Sequence, residues 1–175
     1  MLNPAAVPDV TDDERLARFV MVQGVIRADG TLRHNEFLPP LSGKLSVMRH
    51  LQASDDEIWA EGREVARLRA KDLFGRVDLG AGDCRSVGLR VIKSPLQADP
   101  PSNPEPRRRL SSPNHADLVY PVAAVANPGS ALPKADQMAI AKALVANGLR
   151  VIPPPVAMAA NDFVPCGPEE PPPDP

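Results

Sequence analysis

Three histidines, His34, His50 and His115, are the side chains of this chain that titrate near neutral pH without perturbation. With Glu36, Asp78 and Asp117 they have the residue types for acid–base work or metal ligation. Their spacing does not have the matching form. No HExxH is present, and His115-x-Asp117 is a two-residue pattern that arises readily by chance. No metal and no cofactor is therefore expected. His34 precedes Asn35-Glu36 and reads as a solvated turn residue, and His50 ends a strand beside Arg49. His115 stands where a long loop meets a strand, a place where rigid scaffolds often hold catalytic groups. The ordinary use of a histidine there is a bond to a backbone carbonyl. Arg49, Asp78 and His115 form the candidate catalytic set.

Other reactive types read more weakly. Cys84 lies in Gly82-Asp83-Cys84-Arg85, where a helix N-terminus and an arginine would lower a thiol pKa. A buried, inert cysteine is the commoner case. No G-x-S-x-G elbow is present. Gly80-x-Gly82 continues to Arg85 where a dinucleotide loop needs a third glycine. Arg107, Arg108 and Arg109 form a basic triplet that could meet phosphates, but no neighbouring aromatic offers a stacking platform.

Composition bounds the rest. The 175 residues carry 20 basic and 22 acidic side chains, a net charge of -2, which gives no global field favouring nucleic acid or a membrane surface. Two cysteines cannot build a disulfide framework or a four-cysteine zinc site. The first residues lack the basic and apolar regions of a secretory signal, and no apolar run approaches the roughly 20 residues of a membrane span. A cytoplasmic protein is expected.

The elements that must hold these side chains are bounded by 22 prolines. Proline breaks helix interiors and central strands, so the proline-poor stretch from Asp9 to Lys93 should hold most regular structure. RFVMVQGVIR (18–27) reads as a strand turning at Asp29-Gly30. KLSVMR (44–49) alternates as a half-buried strand does. Ser54-Asp55-Asp56-Glu57 is a capping box opening a helix to about Ala70. Its apolar face is Ile58, Trp59, Gly62, Val65, Ala66 and Leu73, and its polar face is Glu61, Arg63, Glu64, Arg67 and Lys71. Short strands are expected at 73–79, 89–92 and 116–120, a single helical turn from Asp83 to Val87, and a second main helix at 134–147. Its apolar residues run nearly all round, so it is either well buried or marginal. LRVI recurs at 149–152 without a fixed-period repeat.

The series NEFLPP (35–40), KLSVMRH (44–50), DDEIWAEG (55–62), LFGRVDL (73–79), SVGLRVI (86–92), PNHADLVYP (113–121) and DQMAIAKALV (136–145) resembles a set of small uncharacterised bacterial proteins. The resemblance spans residues 15–147. It implies that Arg49, Trp59, Arg76, Asp78 and His115 belong to one domain design, and it transfers no catalytic role.

The expected architecture is α+β: a small sheet of four to six short strands, two main helices and a disordered proline-rich C-terminal tail. Residues 1–9 are expected as a flexible arm, 10–152 as one domain with a long proline-rich loop at 94–112, and 153–175 as the tail. The leading functional expectation is a small bacterial cytoplasmic accessory protein acting through another protein. The alternatives are an enzyme of hydrolase or nucleotide-sugar transferase type using Arg49, Asp78 and His115, and nucleic-acid binding through 107–109.

Overall fold

The computed structural model of the chain describes residues 6–97, 111–122, 132–146 and 148–155. The basic triplet 107–109, most of the proline-rich loop and residues 156–175 of the tail lie outside the described residues. Chain order is β1 (Arg15–Val20), β2 (Lys44–Arg49), α1 (Asp55–Leu68), β3 (Gly75–Gly80), α2 (Ala81–Ser86), β4 (Arg90–Lys93), β5 (His115–Val119) and α3 (Lys134–Val145). The strands form one five-stranded sheet in the order β3-β1-β2-β5-β4, with every pairing antiparallel. The fold is α+β, as expected.

Alternation along the strands sorts side chains between two faces. Leu16 and Val20 of β1, Leu45 and Val47 of β2, Val77 and Leu79 of β3 and Leu118 of β5 point to the main core. Phe37, Ala81 and Cys84 of α2, and Ala141 and Leu144 of α3 close that side. Ala17, Met48 and Ile58 form a smaller cluster under α1 on the opposite face, with Phe19 against it. The close approach of α1 to the sheet depends on Gly62, where an added Cβ would stand 2.7 Å from the Phe19 ring.

The helix α1 starts as its residues require. Glu57 N–H donates to Ser54 Oγ at 3.3 Å, and the Ser54 N–H donates to Glu57 Oε2 at 2.7 Å. It ends in a Schellman motif: Lys71 N–H reaches Ala66 O and Ala70 N–H reaches Arg67 O. Ala70 occupies the left-handed position at φ 49°, where glycine is usual. For α3 the ambiguity resolves toward shallow docking, since Ala141 and Leu144 alone are buried.

Several boundaries differ from expectation. The strand expected over 18–27 stops at Val20, and the chain turns through a 3-10 segment at Gln23–Val25. The turn at Asp29-Gly30 is real, with Gly30 at φ 79°, but its arms share a single bridge, Ile26↔Leu32. The reason is pairing: β3 ends its ladder with β1 at Val20↔Gly75, so nothing holds 21–27 extended. Residues 149–152 add single bridges instead of a strand, and Ile152 exchanges both backbone bonds with Arg76 on the β3 edge. The arm expected to be free is docked at its end: Val7 is buried, and Pro8 O and Asp9 O accept from Arg49. Glu61, assigned to the polar face of α1, is partly buried and accepts from Ser112 Oγ at 2.6 Å.

Candidate functional site

The three candidate catalytic residues do not meet. Arg49 faces the main-core side, fully buried, with Nε and Nη2 on the two carboxylate oxygens of Glu14 at 2.8 and 2.7 Å. Nη1 donates to Pro8 O at 2.8 Å. It is a clamp between β2 and the N-terminal arm. Asp78 and His115 lie on the opposite face, in the cross-strand row Asp78–Ala17–Met48–His115. Two apolar residues separate them, and three strand spacings make about 14 Å. His115 Nδ1 stands 2.7 Å from Ser94 O, the backbone bond ordinary for a strand-edge histidine.

Asp78 belongs to a different group, which the sequence reading missed. His50 Nε2 lies 3.3 Å from Asp78 Oδ1, while Arg15 donates to His50 Nδ1 from Nε at 3.2 Å. An arginine donor requires Nδ1 to accept, so Nε2 carries the proton and donates to Asp78. The neighbouring His50, Arg76 and Arg15 outweigh burial and hold the Asp78 carboxyl below the usual aspartate value. Arg76, almost fully buried, approaches Asp78 Oδ1 at 3.2 Å and Asp55 Oδ1 at 3.0 Å. Its guanidinium also lies 4.9 Å from the Trp59 ring centre. Both His50 nitrogens and both Asp78 oxygens are engaged. This group seats the N-terminus of α1 on the sheet. Sequence distance hid it: His50 and Asp78 become neighbours only through β1, which pairs with both β2 and β3.

Cys84 is fully buried in the main core, and burial pushes its thiol up to about 12. The activated-nucleophile alternative therefore does not hold for it. The arginine beside it, Arg85, turns instead to Val10 O and Asp12.

A concave site does exist, where β1 and β2 part. Their ladder has two partner pairs, Leu16↔Arg49 and Ala17↔Met48. Beyond Ala17 the strands diverge around a cleft of about 600 Å³. Arg18 fills its inner end: Nη1 donates to Ser46 O at 2.9 Å, replacing a strand-to-strand amide bond. Its Nε and Nη2 hold Glu36 Oε1 at 3.1 and 2.9 Å. Burial pulls the Arg18 guanidinium below its usual value against the attraction of Glu36, and raises the Glu36 carboxyl against the attraction of Arg18. An ion pair kept at a net desolvation cost is weak support for stability. Perturbed groups in a cleft point instead to a site.

Phe19, Val22, Leu38, Pro39 and Pro40 supply apolar wall, and Ser42 and Ser46 supply hydroxyls. Lys44, Arg69 and Lys71 bring cations to the mouth, the last two delivered by the Schellman end of α1. These three make no ion pair among the described residues. Asp117, the other acid of the lining, is buried and lies 4.0 Å from His115 Nε2. In the sequence Glu36 stands out only as a companion of the histidines, and nothing in its local spacing signals Arg18.

No group of three or more metal-ligating side chains occurs among the described residues, and no helix there is long and apolar enough to cross a membrane. Comparison with protein-family models, curated proteins and solved structures finds no match.

Proposed function

We propose that this chain is a small non-catalytic binding protein, a bacterial cytoplasmic accessory protein that holds a segment of a partner protein in the cleft between β1 and β2. The observation that carries this reading is the cleft itself. Its inner end is organised by the partly buried Arg18–Glu36 pair, and its wall is apolar. Around the mouth, Val22, Leu41 and Val122 expose large apolar side chains. Tyr120 N–H donates to Gly43 O, which brings residue 122 beside the 39–43 loop. An apolar lip wider than the cavity suits a polypeptide better than a small molecule.

The hydrolase or nucleotide-sugar transferase alternative needs Arg49, Asp78 and His115 at one point. Arg49 is on the other face, and the remaining two are separated by Ala17 and Met48. The binding reading is preferred for that reason.

Selection of a random peptide library on the immobilised protein, followed by NMR titration with the winning peptide, tests it. Amide shifts should concentrate at residues 18–22, 35–46 and 69–71. Shifts centred on His50, Asp78 and His115, or a library that yields no binder, would overturn the proposal.

A further inference from the structure

The charge of the cleft assigns its occupant, and this inference rests on the binding function proposed above. We infer that the partner segment is acidic: an extended peptide whose carboxylates meet Lys44, Arg69 and Lys71 while its apolar side chains lie on Phe19, Val22, Pro39 and Pro40.

The argument starts from imbalance. The chain as a whole has a net charge of -2, yet Lys44, Arg69 and Lys71 gather at the cleft with no carboxylate of the described residues in ion-pair contact, and the Glu36 carboxylate that Arg69 and Lys71 feel is already shared with Arg18. Of the two acids in the lining, Glu36 is held by Arg18 and Asp117 is buried beside His115. The field at the mouth is therefore positive, and a low-dielectric wall strengthens it. The cations sit on two separate supports. Lys44 opens β2, and Arg69 and Lys71 flank the left-handed Ala70 at the end of α1. Charges carried on two separate elements of one lining suit an elongated ligand with repeated anionic groups. A nucleic acid would also supply these. It is disfavoured by the negative net charge and by the lack of an exposed aromatic platform in the lining, where Phe19 is partly buried by α1.

The test uses the full chain and a blocked ten-residue peptide alternating glutamate with leucine and proline. Calorimetry should detect binding that weakens at least tenfold in the glutamine analogue, in the Arg69→Glu/Lys71→Glu variant, and between low and high salt. Both substituted side chains are exposed, and a thermal melt followed by Trp59 fluorescence checks that the variant is folded. Glutamine and glutamate peptides binding equally at the cleft would sink the acidic assignment while leaving the binding function standing. Neither peptide binding would remove both. Inorganic phosphate shifting the same amides as strongly as the peptide would make this a small-anion pocket and overturn the proposal. Tighter binding of a ten-nucleotide single strand would do the same. Neutralising Glu169, Glu170 and Asp174 in the full chain should leave affinity unchanged; a tenfold gain would show that the chain's own C-terminus competes for the cleft and would overturn the partner assignment.

Discussion

His115 makes a backbone bond at a strand edge, whereas His50 links Arg15 to Asp78. Asp78 is the common partner of His50 and Arg76, so its charge should be measurable in stability. Its folded-state pKa is lowered, so its contribution is present above the ordinary aspartate value of 3.8 and is lost as pH falls through the folded value. Asp78→Asn is expected to cost about 2 kcal/mol at pH 7, since it leaves the buried Arg76 short of counter-charge. The gap between the variant and the parent should shrink as the pH falls below 3.8. Urea unfolding from pH 7 down to pH 3 checks this, and a gap that stays constant with pH would contradict it. Glu36 runs in the opposite sense. Its carboxyl is raised, so its contribution to folding is fullest in acid and declines as pH rises through its folded value.

At the scale of elements, local rules succeeded where a segment carries its own stop and start signals. The capping box of α1 forms as written, because Ser54 and Glu57 satisfy each other's amides without help from the rest of the chain. Its end is less regular. Ala70 takes a left-handed conformation that penalises a Cβ by about 1–2 kcal/mol. Ala70→Gly removes that penalty and returns part of it as extra freedom in the unfolded chain, so a net gain of about 0.5–1 kcal/mol is expected. A higher urea midpoint with unchanged slope is the predicted readout, and an unchanged or lower midpoint would refute it. The strand expected over 18–27 ends early for the complementary reason. Met21–Val22 have the composition of a strand, but strand state needs a neighbour, and β3 has already ended its pairing at Gly75. Glu61 likewise has the spacing of a surface position, and only the arrival of Ser112 beside α1 takes it partly out of water.

Across the whole molecule, residues 7–9 of the N-terminal arm are tied to side chains of the sheet. Val7 is buried, Lys93 Nζ donates to Val7 O at 2.9 Å, and Arg49 holds Pro8 O, Asp9 O and Glu14 together. Deleting residues 1–9 removes the Val7 packing and leaves Arg49 donors without their carbonyls. The expected loss is about 2–4 kcal/mol from those two sources. A melt followed through Trp59, the single tryptophan, measures it, and a truncated chain as stable as the parent would show that the arm is dispensable. The cleft is also a whole-molecule property. It exists because β1 pairs along its full length with β3 but over two residue pairs with β2.

By itself, the sequence determined the α+β class, the capped helix α1 and the inert character expected of Cys84. Each of these depends on local stereochemistry or on composition. Only the tertiary structure decided that Asp78 joins His50 and not His115, that Arg49 clamps the arm, and that Arg18 and Glu36 meet in a cleft. These pairings join residues 18 to 41 positions apart, brought together by strand order and register. Register follows from which faces the whole chain can bury at once, and no short run of residues carries that information.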